Sequence, residues 1–165
     1  MAKVAVIMGS DSDFDVVKKC IDMLKKFDVD IDVRVISAHR DPRELAIFAQ
    51  TAEEKGYEVI IAAAGKAAHL PGVIAGSTPL PVIGIPIKTS LEGGMDSLFS
   101  IVQMPTGIPV ATVAVNGAAN AAILAVQILS VKYPELREAI KAYKRELDEE
   151  VKTKNARVQA LLNEE

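Results

Sequence analysis

Five short apolar runs, each closely followed by glycine, proline or serine and then by a helical pattern, constrain this chain more than any other feature. Residues 3–8, 31–36, 58–63, 81–85 and 110–115 read as strands, the second through the alternation of Asp32 and Arg34 with Val33 and Val35. Between them, Val16, Val17, Cys20, Ile21 and Leu24 recur at helical spacing, and residues 42–55 place Leu45, Phe48, Ala49 and Ala52 on one helical face. Pro42 suits the first turn of that helix. Shorter helices are expected over residues 71–76 and 95–103, and an alanine-rich one over 118–131. Alternating strands and helices, with strands that are nearly continuous Val, Ile and Ala, predict a parallel sheet covered on both faces: a doubly wound α/β sandwich. Ligands of such sheets sit beyond the carboxyl ends of the strands, where the strand order reverses. The residues at those ends are the candidates for function.

Charge is distributed unevenly. Between Tyr57 and Val131 the charged residues are Glu58, Lys66, Lys88, Glu92 and Asp96, and residues 97–131 carry none. Pro105, Gly107, Pro109, Asn116, Gly117 and Asn120 cut that stretch into pieces shorter than the roughly 20 residues of a membrane span. It is expected to be core or subunit interface, and oligomerisation follows from that expectation. The tail, residues 135–165, is dense in Lys, Arg and Glu, with Leu136, Ile140, Tyr143, Leu147, Val151, Val158 and Leu162 at helical spacing. At about 1.5 Å per residue this helix outruns the body of the domain. Its apolar stripe is expected to pack on a neighbouring subunit, with folding back on its own sheet as the alternative. The 165 residues, 50% hydrophobic and 25% charged, make one domain and exclude disorder: residues 1–131 for the sheet and flanking helices, 132–165 for the amphipathic helix. A net charge of -3 with no basic run gives no footprint for nucleic acid or an anionic membrane, so small ligands are the expected partners. The single cysteine, Cys20, cannot form an internal disulfide, and no signal-peptide pattern leads the chain, so a cytoplasmic location is expected.

The first strand leads into Gly9-Ser10-Asp11-Ser12-Asp13, which opens a helix. A helix N-terminus with two hydroxyls attracts anions, but a carboxylate repels phosphate, so one aspartate either caps the helix or accepts hydrogen bonds from sugar hydroxyls. The loop lacks the G-x-G-x-x-G dinucleotide fingerprint, and Gly65-Lys66 is no P-loop, since Ile60 replaces the first glycine and Ala67 the Ser or Thr. Ser37-Ala38-His39-Arg40-Asp41-Pro42 follows the second strand, and Ala64-Gly65-Lys66-Ala67-Ala68-His69-Leu70-Pro71-Gly72 the third. These loops hold both histidines of the chain. An imidazole gives and takes protons near neutrality, and two at adjacent strand ends point to acid–base chemistry beyond what a lone structural histidine would suggest. Arg40 can clamp a phosphate or carboxylate in bidentate fashion, its alternative being a surface ion pair. Two histidines, one cysteine on an apolar helix face and scattered carboxylates make no metal ligand set, and no G-x-S-x-G elbow supports a hydrolase.

Four stretches in register, Met8-Gly9-Ser10-Asp11-Ser12-Asp13, Ser37-Ala38-His39-Arg40, Ala67-Ala68-His69-Leu70-Pro71-Gly72 and the run from Ser97 through Gln103 to Pro105, resemble the class I N(5)-carboxyaminoimidazole ribonucleotide mutases of purine synthesis. The resemblance extends from the first strand through Leu129. It implies a flavodoxin-like three-layer α/β/α sandwich with a long C-terminal helix, assembled as a homo-octamer. It also implies a cofactor-free isomerisation that moves a carboxylate from the exocyclic nitrogen of an aminoimidazole ribonucleotide to a ring carbon, through release and recapture of carbon dioxide. By matching position His39 would donate and accept the proton, with His69 lining the base and carboxylate. Ser10, Ser12, Ser37 and Arg40 would face the phosphate and Asp13 the ribose, with Ala64, Gly65 and Leu70 completing the substrate wall. The family usually has glycine where this chain has Lys66. Pointing inward, Lys66 would pair with the substrate carboxylate; pointing outward, as lysine's preference for exposure suggests, it would be a solvated loop residue. The related aminoimidazole ribonucleotide carboxylases, which use carbon dioxide directly, and a non-catalytic nucleotide-binding module are the alternative readings.

Overall fold

The computed structural model describes residues 1–163; Glu164 and Glu165, the end of the expected tail helix, lie outside the described residues. Strand β1 (Lys3–Met8) buries five of its six residues, and β3 (Val59–Ala64) buries all six. Side chains of these strands alternate between two cores: Val4, Val6, Met8, Ile61 and Ala63 on one face, Ala5, Ile7, Ile60 and Ala62 on the other. With β2 (Asp30–Val35), β4 (Val82–Pro86) and β5 (Ala111–Thr112) they form one sheet of order β2-β1-β3-β4-β5, every pair parallel. This is the flavodoxin-like order, and it reverses between β1 and β3.

The first core is closed by α1 (Phe14–Lys26), α5 (Ala118–Leu129) and the start of α6 (Pro134–Leu162). Ala118, Ala121, Ala122 and Ala125 are all fully buried, their small side chains letting α5 lie close to the sheet and α1. The second core is closed by α2 (Pro42–Thr51), α3 (Leu70–Ala75) and α4 (Met95–Val102), through Leu45, Phe48, Leu70, Ile74 and Ile101. Ile101 rests on the bare backbone of Gly84 in β4, where a Cβ would overlap its Cγ2.

Before the tail, three elements differ from the sequence reading by more than one residue at a boundary. Strand β5 spans Ala111–Thr112 rather than 110–115, because the next β4 amide in register would be that of Pro86, which has no N–H. Beyond it the Asn116 amide donates to the Pro86 carbonyl at 2.8 Å and the chain turns away. Helix α2 ends at Thr51 rather than 55, where a tight turn ends on Gly56 at φ +80°. Helix α5 ends at Leu129, capped through Ser130. The tail divides: Leu136 and Ile140 are buried on their own domain and Tyr143 meets Phe27 edge-on at 5.7 Å, whereas Leu147, Val151, Val158 and Leu162 are 40–63% exposed. At about 1.5 Å per residue the 29-residue α6 is roughly 43 Å long, and its outer half has no support from its own chain.

Candidate active site

The carboxyl ends of β1, β2, β3 and β4 surround one cavity of about 430 Å³. Its first wall is the turn after β1. Ser10 adopts an extended backbone and its Oγ accepts hydrogen bonds from the Ser12 amide at 3.3 Å and the Ser12 hydroxyl at 2.9 Å, capping the 3-10 turn Asp11–Asp13. Asp13 makes no capping bond with its own side chain; its buried carboxyl accepts from the Ser12 hydroxyl at 3.4 Å and lines the cavity. Burial pushes its pKa up, against the Ser12 hydroxyl and the Ser10 backbone, which pull it down.

The loop after β2 is braced against β1. The Ser37 hydroxyl accepts from the Arg40 amide at 3.2 Å and from Arg40 Nε at 3.3 Å, while Arg40 Nη2 donates to the Gly9 carbonyl at 3.3 Å. Asp41 then caps α2 by accepting from the Glu44 amide. Arg40 is thereby held at the cavity wall beside the Ser10 and Ser12 hydroxyls, a set of donors suited to an anion.

His39 follows β2 and His69 follows β3, with β1 between those strands, and the two rings meet over its end. His39 Nε2 lies 2.8 Å from His69 Nδ1, with the rings edge-to-face at 4.9 Å and 85°. One nitrogen donates and the other accepts, so the bond exists only while at least one of the two lacks a proton. Ala64, Gly65 and Leu70 line the same wall. Lys66 lies on it too, exposed and with a left-handed backbone, φ +56°. The structure thus brings together every residue named from the sequence: Ser10, Ser12, Asp13, Ser37, His39, Arg40, Ala64, Gly65, His69 and Leu70.

Sequence reasoning passed over the wall supplied by Ile87, Lys88, Thr89 and Ser90. The strand-end rule that selected the first three loops applies equally after β4, and Lys88 is one of the few charges in a neutral stretch. This loop is fixed from a distance. Asn116 Oδ1 accepts from the Lys88 amide at 2.9 Å, Asp96 accepts from the Thr89 hydroxyl at 2.6 Å, and the buried Ser97 hydroxyl bonds the Ile87 carbonyl at 2.7 Å. The run beginning at Ser97 therefore holds the β4 loop at one end, while at its other end Met104 packs against Gly72 of α3.

Three cations, Arg40, Lys66 and Lys88, line the cavity against the single carboxyl of Asp13, and none of the three forms an ion pair among the described residues. The cavity is electropositive within a chain of net charge -3. Cys20 lies apart, buried in the first core with its thiol pushed up to about 12 by burial. No cluster of three metal-ligating side chains occurs among the described residues, and none of their helices is long and apolar enough to cross a membrane.

A family model described as AIR carboxylase matches residues 3–150. The chain belongs to this family. Among its relatives, the N5-carboxyaminoimidazole ribonucleotide mutase of Thermotoga maritima is 53% identical over 161 residues, covering 98% of this chain and 94% of that protein. The mutase of the same name from Pyrococcus abyssi is 59% identical over 89% of this chain and 84% of its own length. In the crystal structure of Treponema denticola PurE the same fold recurs at a TM-score of 0.85 and 26% identity, over 95% of this chain and 98% of that one. The family match covers all four loops of the cavity and stops within α6.

Proposed function

We propose that this chain is an N5-carboxyaminoimidazole ribonucleotide mutase of purine biosynthesis, an isomerase that transfers a carboxylate within one substrate. The observation that carries the reading is the His39–His69 hydrogen bond, set in a cavity that also holds Arg40 among three serine hydroxyls. Ser10, Ser12, Ser37 and Arg40 bind the phosphate. Asp13 accepts hydrogen bonds from the ribose hydroxyls, and Ala64, Gly65 and Leu70 enclose the base.

His39 is the proton shuttle. It donates a proton to the exocyclic nitrogen as the N–C bond to the carboxylate breaks, releasing carbon dioxide and leaving the free amine. The electron-rich ring carbon then attacks the carbon dioxide held in the cavity, forming a C–C bond at a carbon that still carries its hydrogen. His39, now lacking a proton, removes that hydrogen and the ring regains aromaticity. One proton is given and one recovered, so the step requires no outside acid, base, oxidant or metal. His69, bonded to His39 Nε2, sets which His39 nitrogen carries the proton and keeps the ring aimed at the base.

The same reading has the enzyme in the cytoplasm as a homo-octamer. Leu91, just before α4, and Met95, Phe99 and Val102 on it form an exposed apolar row, between 36% and 58% accessible, and the outer half of α6 adds a second unsupported apolar surface. Both are suited to burial against neighbouring subunits.

The test pairs turnover with ligand affinity. His39→Asn preserves shape and a donor but cannot shuttle a proton near neutrality, and is expected to bind nucleotide while losing activity by about two to four orders of magnitude. His69→Asn is expected to lose less. A His39→Asn enzyme within tenfold of wild type would assign the proton transfer elsewhere.

A further inference from the structure

We infer that Lys66 is a specificity-determining residue whose ammonium group meets the carboxylate of the nucleotide and so separates carboxylated from uncarboxylated ligands. The inference rests on the nucleotide reading above and starts from the backbone. Among the described residues, four other than glycine have positive φ: Asp28, Lys66, Glu92 and Asn116. Asp and Asn enter the left-handed region at small cost because their short polar side chains bond locally, whereas a long side chain gains no such relief. Of the two long ones, Lys66 alone lines the cavity. Glycine would remove the strain there, so what a lysine adds at this position is its side chain.

That side chain has one plain use. Lys66 makes no hydrogen bond or ion pair among the described residues, and it sits in the loop that also carries His69. Arg40 and its three serines lie over β1 and β2, while Lys66 follows β3, with Lys88 behind it over β4. Strands are spaced by about 4.8 Å, so the anion grip over β2 and Lys66 over β3 stand roughly 10 Å apart, with Lys88 one strand further, on the scale of a mononucleotide. One end suits the phosphate. The other calls for a second anionic group on the same ligand, on the side of the histidine pair where the base lies. Carboxylated aminoimidazole nucleotides have such a group and the uncarboxylated one does not.

The experiment measures, by titration calorimetry, the binding of 4-carboxyaminoimidazole ribonucleotide and of aminoimidazole ribonucleotide to wild type, Lys66→Gln, Lys66→Gly and Lys66→Arg. Gln and Gly are expected to weaken the carboxylated ligand about tenfold, the loss of one charge-assisted contact, and the uncarboxylated one less than about twofold. Arg is expected to restore the preference. Lys66→Gly is expected to melt no lower than wild type, since strain is relieved. Equal weakening of both ligands, or no change in either, overturns the assignment of Lys66. A wild-type protein that binds neither nucleotide overturns the function itself, so the two failures are distinguishable.

Discussion

Asp13 is a buried carboxyl with no capping duty, and burial raises its pKa above the ordinary 3.8. As a ribose acceptor it must be ionised, so affinity is full above its pKa and falls as pH drops through it. Because that pKa is raised, the fall begins at higher pH than for an ordinary carboxylate. Nucleotide affinity measured against pH is expected to show this acid limb in wild type, and Asp13→Asn to be weaker and flat across the same range; an unchanged limb in the variant would assign it to another group. At this scale the sequence was informative about types and silent about contacts. His39, His69 and Arg40 stand out because they carry chemistry at strand ends. That His39 and His69 touch follows from β1 lying between β2 and β3, which no residue spacing reveals. Lys66 was expected to face solvent; it is exposed and on the cavity wall at once, because the wall is a loop.

The elements were legible where local pattern decides and obscured where a neighbour does. Fully buried β3 and β4 read directly from their Val, Ile and Ala runs. The length of β5 did not, since it is set by the missing amide of Pro86 on another strand. The β4 loop obeys the strand-end rule, but its shape is set by later residues: Asp96, Ser97 and Asn116 hold it in place. Gly84 tests this dependence. A methyl there would strike Ile101 Cγ2 and approach Val110 Cγ1, pushing α4 off β4. Gly84→Ala is expected to cost about 1–3 kcal/mol, or roughly 2–12 °C in melting temperature, and to lower activity through the Ser97 tether. Wild-type stability and turnover in that variant would show that α4 does not position the loop.

At the scale of the whole molecule, the charge-free stretch divides between two destinations. Ala118, Ala121, Ala122 and Ala125 of α5 are core, while Phe99 and Val102 of α4 face outward. The tail divides likewise, its first turns folded onto the domain and the remainder projecting. Composition marked both segments as apolar surface needing cover, but only the packed sheet shows which residues the chain covers by itself. What the molecule does with its cavity is a question of which nucleotide it accepts. The direct measurement supplies wild-type enzyme with N5-carboxyaminoimidazole ribonucleotide, and separately with aminoimidazole ribonucleotide with and without bicarbonate, and follows the absorbance of the 4-carboxylated product. Rapid conversion of the carboxylated nucleotide without bicarbonate, and slow conversion of the other even with it, is the result expected of a mutase. Preferential turnover of aminoimidazole ribonucleotide with bicarbonate would contradict it and make the enzyme a direct carboxylase.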